Sequence, residues 1–157
     1  MATRARASGA VDYQALADLR YQIRRFLRIR ETAARAAGIE PQQYLVLLQI
    51  KGVDGREPAT IGVLAERLQI SHHAAVQLVN RLVRRGLVAR IRSDRDRREV
   101  AVALLPPGEH LLQRLAGQSI AELTTEGPLL VASLRRLIVQ STRGGTPPRT
   151  GREGGAR

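Results

Sequence analysis

The chain has 157 residues, 43% of them hydrophobic and 3% aromatic, which suffices for one domain with a modest core. Its formal net charge of +12, from 26 basic and 14 acidic residues, points to a polyanionic partner or an anionic membrane surface, with nucleic acid the first candidate. The absence of cysteine excludes disulfides, thiolate metal sites and thiol redox sensing, and no apolar run reaches the roughly 20 residues that span a bilayer. Residues 1–10 are basic but carry no apolar stretch after them as a signal peptide does, so the chain reads as cytoplasmic with no membrane partner.

Residues 1–11 are expected to form a disordered arm. After Asp12, the 3-and-4 spacing of Leu16, Leu19, Ile23, Phe26, Ala33 and Ala37 predicts a long helix over 12–38, with Arg30 at one apolar position and Gly38 as its stop. Glu40-Pro41 opens a second helix, since proline suits the first helical position, and Tyr44, Leu45, Leu47, Leu48 and Ile50 make it largely apolar. Residues 52–58, rich in Gly, Asp and Pro, end it in a loop. Thr60 then caps a short third helix with Ile61, Leu64, Ala65 and Leu68 on its apolar stripe.

Ser71 caps a fourth helix whose Ala75, Val76, Val79, Leu82 and Val83 face inward, and Gly86 supplies its left-handed stop. Residues 87–91 read as a strand, 92–98 as a charged turn, and 99–104 as a return strand with Val100, Val102 and Leu104 on one face. Pro106-Pro107-Gly108 breaks that strand, and Leu111, Leu112, Leu115, Ile120 and Leu123 describe a fifth helix. Gly127-Pro128 is expected to separate it from a sixth helix carrying Leu130, Leu134, Leu137 and Ile138. Residues 143–157 form a Gly/Pro/Arg tail too polar to pack. The fold class is therefore mainly α with a small β-hairpin wing, a winged helix-turn-helix over 39–105 between N- and C-terminal helices.

Between positions 81 and 98 stand eight arginines against Asp94 and Asp96, a net +6 that is half the charge of the chain. The run covers the exposed side of the fourth helix and the hairpin tip, the two elements a winged helix presents to DNA. His73, Gln77 and Arg81, spaced by four, line one outward face able to read base edges in the major groove. Ser71 and His72 sit at the helix N-terminus, where free N–H groups favour a phosphate. Arg84 and Arg85 are expected on phosphates, and Arg92, Arg95, Arg97 and Arg98 on the wing.

An enzyme is disfavoured by the inventory. His72 and His73 are adjacent and diverge by about 100° on a helix, a poor metal pair, and no phosphate loop or nucleophile motif occurs, so neither metal nor cofactor is expected. The alternative to a sequence-specific DNA binder is a non-sequence-specific nucleic-acid-binding or architectural protein. Few aromatics argue against stacking on single strands.

Three stretches carry a resemblance to the MarR family of bacterial transcription regulators. They are Ile61-Gly62-Val63-Leu64-Ala65-Glu66-Arg67-Leu68, then Leu78-Val79-Asn80-Arg81-Leu82-Val83-Arg84-Arg85-Gly86-Leu87-Val88, and Asp94-Arg95-Asp96-Arg97-Arg98 before the return strand. The resemblance implies a homodimer built from helices at 12–38 and 106–142, bound to a pseudo-palindromic double-stranded site and acting as a repressor. It also implies that Arg98 enters a minor groove, held by Asp96, and that a small phenolic or aromatic effector is lined by Arg24 and Tyr44. The chain departs from the family pattern at Gln77, often arginine there, at Asn80, often aspartate, and at Leu105, where a threonine cap is common.

Overall fold

The computed structural model describes residues 11–53, 55–92 and 100–144. Helix α1 (Tyr13–Ala36) starts where Asp12 Oδ1 accepts the Ala15 N–H at 2.9 Å. It ends where Gly38, at φ +76°, lets the chain reverse so that the Gly38 and Ile39 amides reach back to Arg35 and Ala34. The reversal buries Ile39 and starts α2 (Pro41–Val53) with proline in its first turn. Helix α2 buries Tyr44, Val46, Leu47, Ile50 and Val53 on several sides, which makes it the central strut of the molecule.

Helix α3 (Ile61–Leu68) is capped by Thr60, and α4 (His72–Arg84) by Ser71, whose Oγ accepts the Ala74 N–H at 3.1 Å. Between them Gln69 takes the left-handed conformation at φ +54°, so the turn is tight and the two helices pack on each other. Gly86, at φ +65°, stops α4 and releases β1 (Val88–Arg92). Strand β2 (Val100–Leu104) pairs antiparallel with β1 in the register Val88↔Leu104 to Arg92↔Val100. On its other edge β2 meets residues 59–60 through a Thr60↔Ala101 bridge and a Val102 N–H to Ala59 carbonyl bond. The core lies between these elements, on Leu47, Leu64, Val79, Leu82, Val88, Val102, Leu112 and Leu115.

Pro106-Pro107-Gly108 breaks the strand as expected, since β2 stops at Leu104, and the same three residues form the first turn of α5 (Pro106–Gly144). Two prolines there lack N–H groups that would have no helical partner anyway, so no side-chain cap is needed at Leu105. Gly108 is required by contact: a Cβ at that position would stand 2.1 Å from the Leu87 carbonyl oxygen.

The last helix corrects the sequence expectation at Gly127-Pro128, which does not divide two helices: α5 runs unbroken for 39 residues with Pro128 inside it. The cost of one lost backbone bond, about 3 kcal/mol, is offset by packing against α1 on both sides of the proline. Arg25 holds Glu126 through two nitrogens at 2.8 and 3.1 Å, Arg30 pairs with Glu122, and Arg136 lies 3.4 Å from Asp12. The helix also takes in positions 143 and 144 of the expected tail; residues 145–157 and residues 1–10 of the expected arm lie outside the described residues.

Candidate nucleic-acid interface

Helix α4 has two unlike sides. Ala75, Val79 and Leu82 are buried against the core, while His72, His73, Gln77, Arg81 and Arg84 are exposed. Steps of four residues put His73, Gln77 and Arg81 along one outward ridge, and Arg84 falls on the same side. Ser71 spends its Oγ as the helix cap, which leaves the first-turn backbone N–H groups facing outward where an anion is favoured.

Over residues 71–92 there are five arginines and no acidic residue, so the exposed surface of α4 and β1 has one sign of charge. Arg92 is exposed at the end of β1. Arg90, which sequence reading counted only as charge, donates from Nη2 to Asn80 Oδ1 at 2.7 Å and ties the hairpin to α4. The neutral amide at position 80 accepts that bond without cancelling a positive charge. The wing-tip residues Arg95, Asp96, Arg97 and Arg98 lie outside the described residues.

Arg85 does not stand with the other arginines. Its Nη1 donates to Gln43 Oε1 at 3.0 Å and its Nη2 to the Gly38 carbonyl at 2.8 Å, so it turns toward the α1–α2 junction.

The two residues expected to line an effector site are placed apart. Arg24 lies on the outer face of α1, in a shallow concavity with Leu27, Arg28, Glu31, Thr32 and Arg35. Tyr44 is buried, its hydroxyl 3.4 Å from Ser119 Oγ on α5. Arg30 meets the same serine, donating from Nη1 at 2.8 Å, and Glu122 through Nη2. Arg30 Nε and Glu122 Oε2 are buried there without a hydrogen-bond partner. The sequence signal for this cluster is the charge at an apolar position of the α1 stripe. Among the described residues no group of three or more His, Asp or Glu could hold a metal ion, and no helix is long and apolar enough to cross a membrane.

Residues 37–99 match the sequence model of the MarR family. A transcriptional regulatory protein for the hcr operon of Thauera aromatica is 29% identical over 96 residues, 61% of this chain and 56% of its own length. The transcriptional activatory protein BadR of Rhodopseudomonas palustris is 32% identical over 88 residues, 56% of this chain and 50% of its own. The chain thus spans about half the length of the curated relatives it matches. Among solved structures, a MarR family protein from Bacillus stearothermophilus aligns with a TM-score of 0.60 at 23% identity, covering 85% of this chain and 99% of that one. A Staphylococcus aureus MepR variant bound to an oligodeoxyribonucleotide aligns with a TM-score of 0.60 at 17% identity, covering 84% and 99%. These likenesses show the winged-helix fold.

Proposed function

We propose, from the match of residues 37–99 to the sequence model of the MarR family, that this chain is a MarR-type homodimeric transcription regulator that binds double-stranded DNA sequence-specifically. The observation that carries the reading is the acid-free arginine surface of α4 and β1 beside an outward ridge of hydrogen-bonding side chains. His72, His73, Gln77 and Arg81 read base edges, Ser71 presents the capped helix N-terminus to a phosphate, Arg84 grips phosphate, and Arg92, Arg95, Arg97 and Arg98 serve the wing, with Asp96 holding Arg98. Exposed apolar residues on α1 and α5, among them Leu16, Ile23, Ile120, Leu134 and Ile138, are what a second copy would cover. A dimer lying across a promoter blocks access to it, which makes repression the default direction of control.

The test is footprinting and selection from genomic fragments with the purified protein at stated salt. The expected result is a protected pseudo-palindrome with half-site centres about 10 base pairs apart. Equal affinity for random duplex makes the protein an architectural binder and overturns the specific reading.

Release by a small aromatic acid is supported by the buried Arg30 cluster, where Arg30 Nε is without a hydrogen-bond partner, Nη1 donates to Ser119 Oγ, and the Tyr44 hydroxyl lies 3.4 Å from that same oxygen. Salicylate is the probe: it should weaken duplex binding by the wild type several-fold and do so less in Tyr44→Phe. An unchanged affinity at millimolar salicylate removes the effector from the reading.

A further inference from the structure

Two adjacent arginines at the end of α4 are both exposed, but Arg84 stands on the outward ridge with Arg81, whereas Arg85 is hydrogen-bonded so as to join three elements. It leaves α4, meets the first turn of α2 at Gln43 and ends on the Gly38 carbonyl where α1 stops. Both acceptors favour a cation. The Gly38 carbonyl lies at the negative end of the α1 dipole. Gln43 as a residue is only 5% exposed, so its side-chain oxygen needs a partner inside the molecule. Gly38 is also the left-handed residue about which the chain turns from α1 into α2.

We infer that Arg85 is a positioning residue that locks the tilt of α4 against the α1–α2 junction, and so sets where the base-reading end of α4 falls relative to the dimer. The inference rests on reading α4 as the helix that enters the groove. Helix α4 has 13 residues and is about 20 Å long, so a tilt of about 10° at the Arg85 end moves the Ser71 end by roughly 3 Å, about one base-pair step. Arg85 holds the pivot, and Ser71, His72 and His73 are at the far end of the lever. A guanidinium bridges the two acceptors because its nitrogens form a rigid fork; the single ammonium of lysine cannot span them in the same way.

The role separates cleanly from a phosphate contact by charge. Full-length wild type, Arg85→Gln, Arg85→Lys, Gln43→Leu and the Arg85→Gln/Gln43→Leu double variant are titrated with the selected duplex over a salt series. The expected result is a loss of about tenfold in affinity for both Arg85 variants, with the salt slope unchanged. Gln43 is buried and out of reach of DNA, yet Gln43→Leu should show a similar loss, and the double variant no more than either single change. A phosphate contact gives the opposite pattern: Arg85→Lys close to wild type, Gln43→Leu neutral, and a slope reduced by about 0.9 in Arg85→Gln. That pattern overturns the inference.

A second measurement needs no DNA. Hydrogen exchange on the free protein should be about fivefold faster in Arg85→Gln at the amides of Gly38 and Ile39 and at residues 85–87, while the amides of α3 stay protected. Unchanged exchange overturns the positioning role of Arg85 whatever the binding data say. If wild type binds no duplex at any salt, it is the DNA reading that fails, and exchange alone decides whether Arg85 holds α4.

Discussion

Gly108 and Ser71 show how differently single residues announce themselves. Ser71 is legible because a cap acts on the amide three positions ahead, and the bond is there at 3.1 Å to Ala74. Ser71→Ala should destabilise the protein by about 1 kcal/mol in denaturant unfolding. Gly108 reads only as punctuation after two prolines, since what makes glycine necessary is the Leu87 carbonyl, 21 positions back in the chain. Gly108→Ala should cost about 3 kcal/mol, because a backbone carbonyl cannot move aside as a flexible side chain can. A variant as stable as wild type would mean that α5 can shift away from Leu87 at no cost.

At the scale of elements, caps, periodicity and glycine stops locate α1 to α4 and the hairpin to within a residue or two of the sequence expectation. The departure is α5, where a dipeptide that ends most helices lies inside one. Local chemistry at Pro128 is unfavourable, and long-range packing along α1, with ion pairs at Glu122, Glu126 and Arg136, outweighs it. If the helix is continuous, Pro128→Ala restores a backbone bond to Thr124 and should stabilise the protein by about 2 kcal/mol or more, seen as a higher unfolding midpoint. A loss of stability would show that the proline ends one helix and begins another. Arg30 belongs to this scale as well: it interrupts an apolar stripe because its partner, Glu122, is 92 positions away on the facing helix.

For the whole molecule, the decisive property is that the arginine-rich face of α4 and β1 and the exposed apolar strips of α1 and α5 belong to different parts of one chain. Separate surfaces allow one to bind a polyanion while the other is covered by a second copy. Ile120, 66% exposed on α5, tests this: Ile120→Glu should shift sedimentation toward the monomer and lower duplex affinity by tenfold or more, because half-sites are then bound singly. A monomeric variant with full affinity would separate dimerisation from DNA binding.

Charge, helix faces, caps and the winged-helix arrangement were determined by the sequence alone, because each depends on residue types within a few positions of one another. Tertiary structure alone decided that Arg85 faces Gln43 and Gly38 instead of standing beside Arg84, that Arg24 and Tyr44 lie apart, and that Pro128 is carried inside a helix. Each of those outcomes turns on a partner 40 or more positions away or on the opposite face of a helix, and spacing along the chain holds no information about which distant group a side chain will meet.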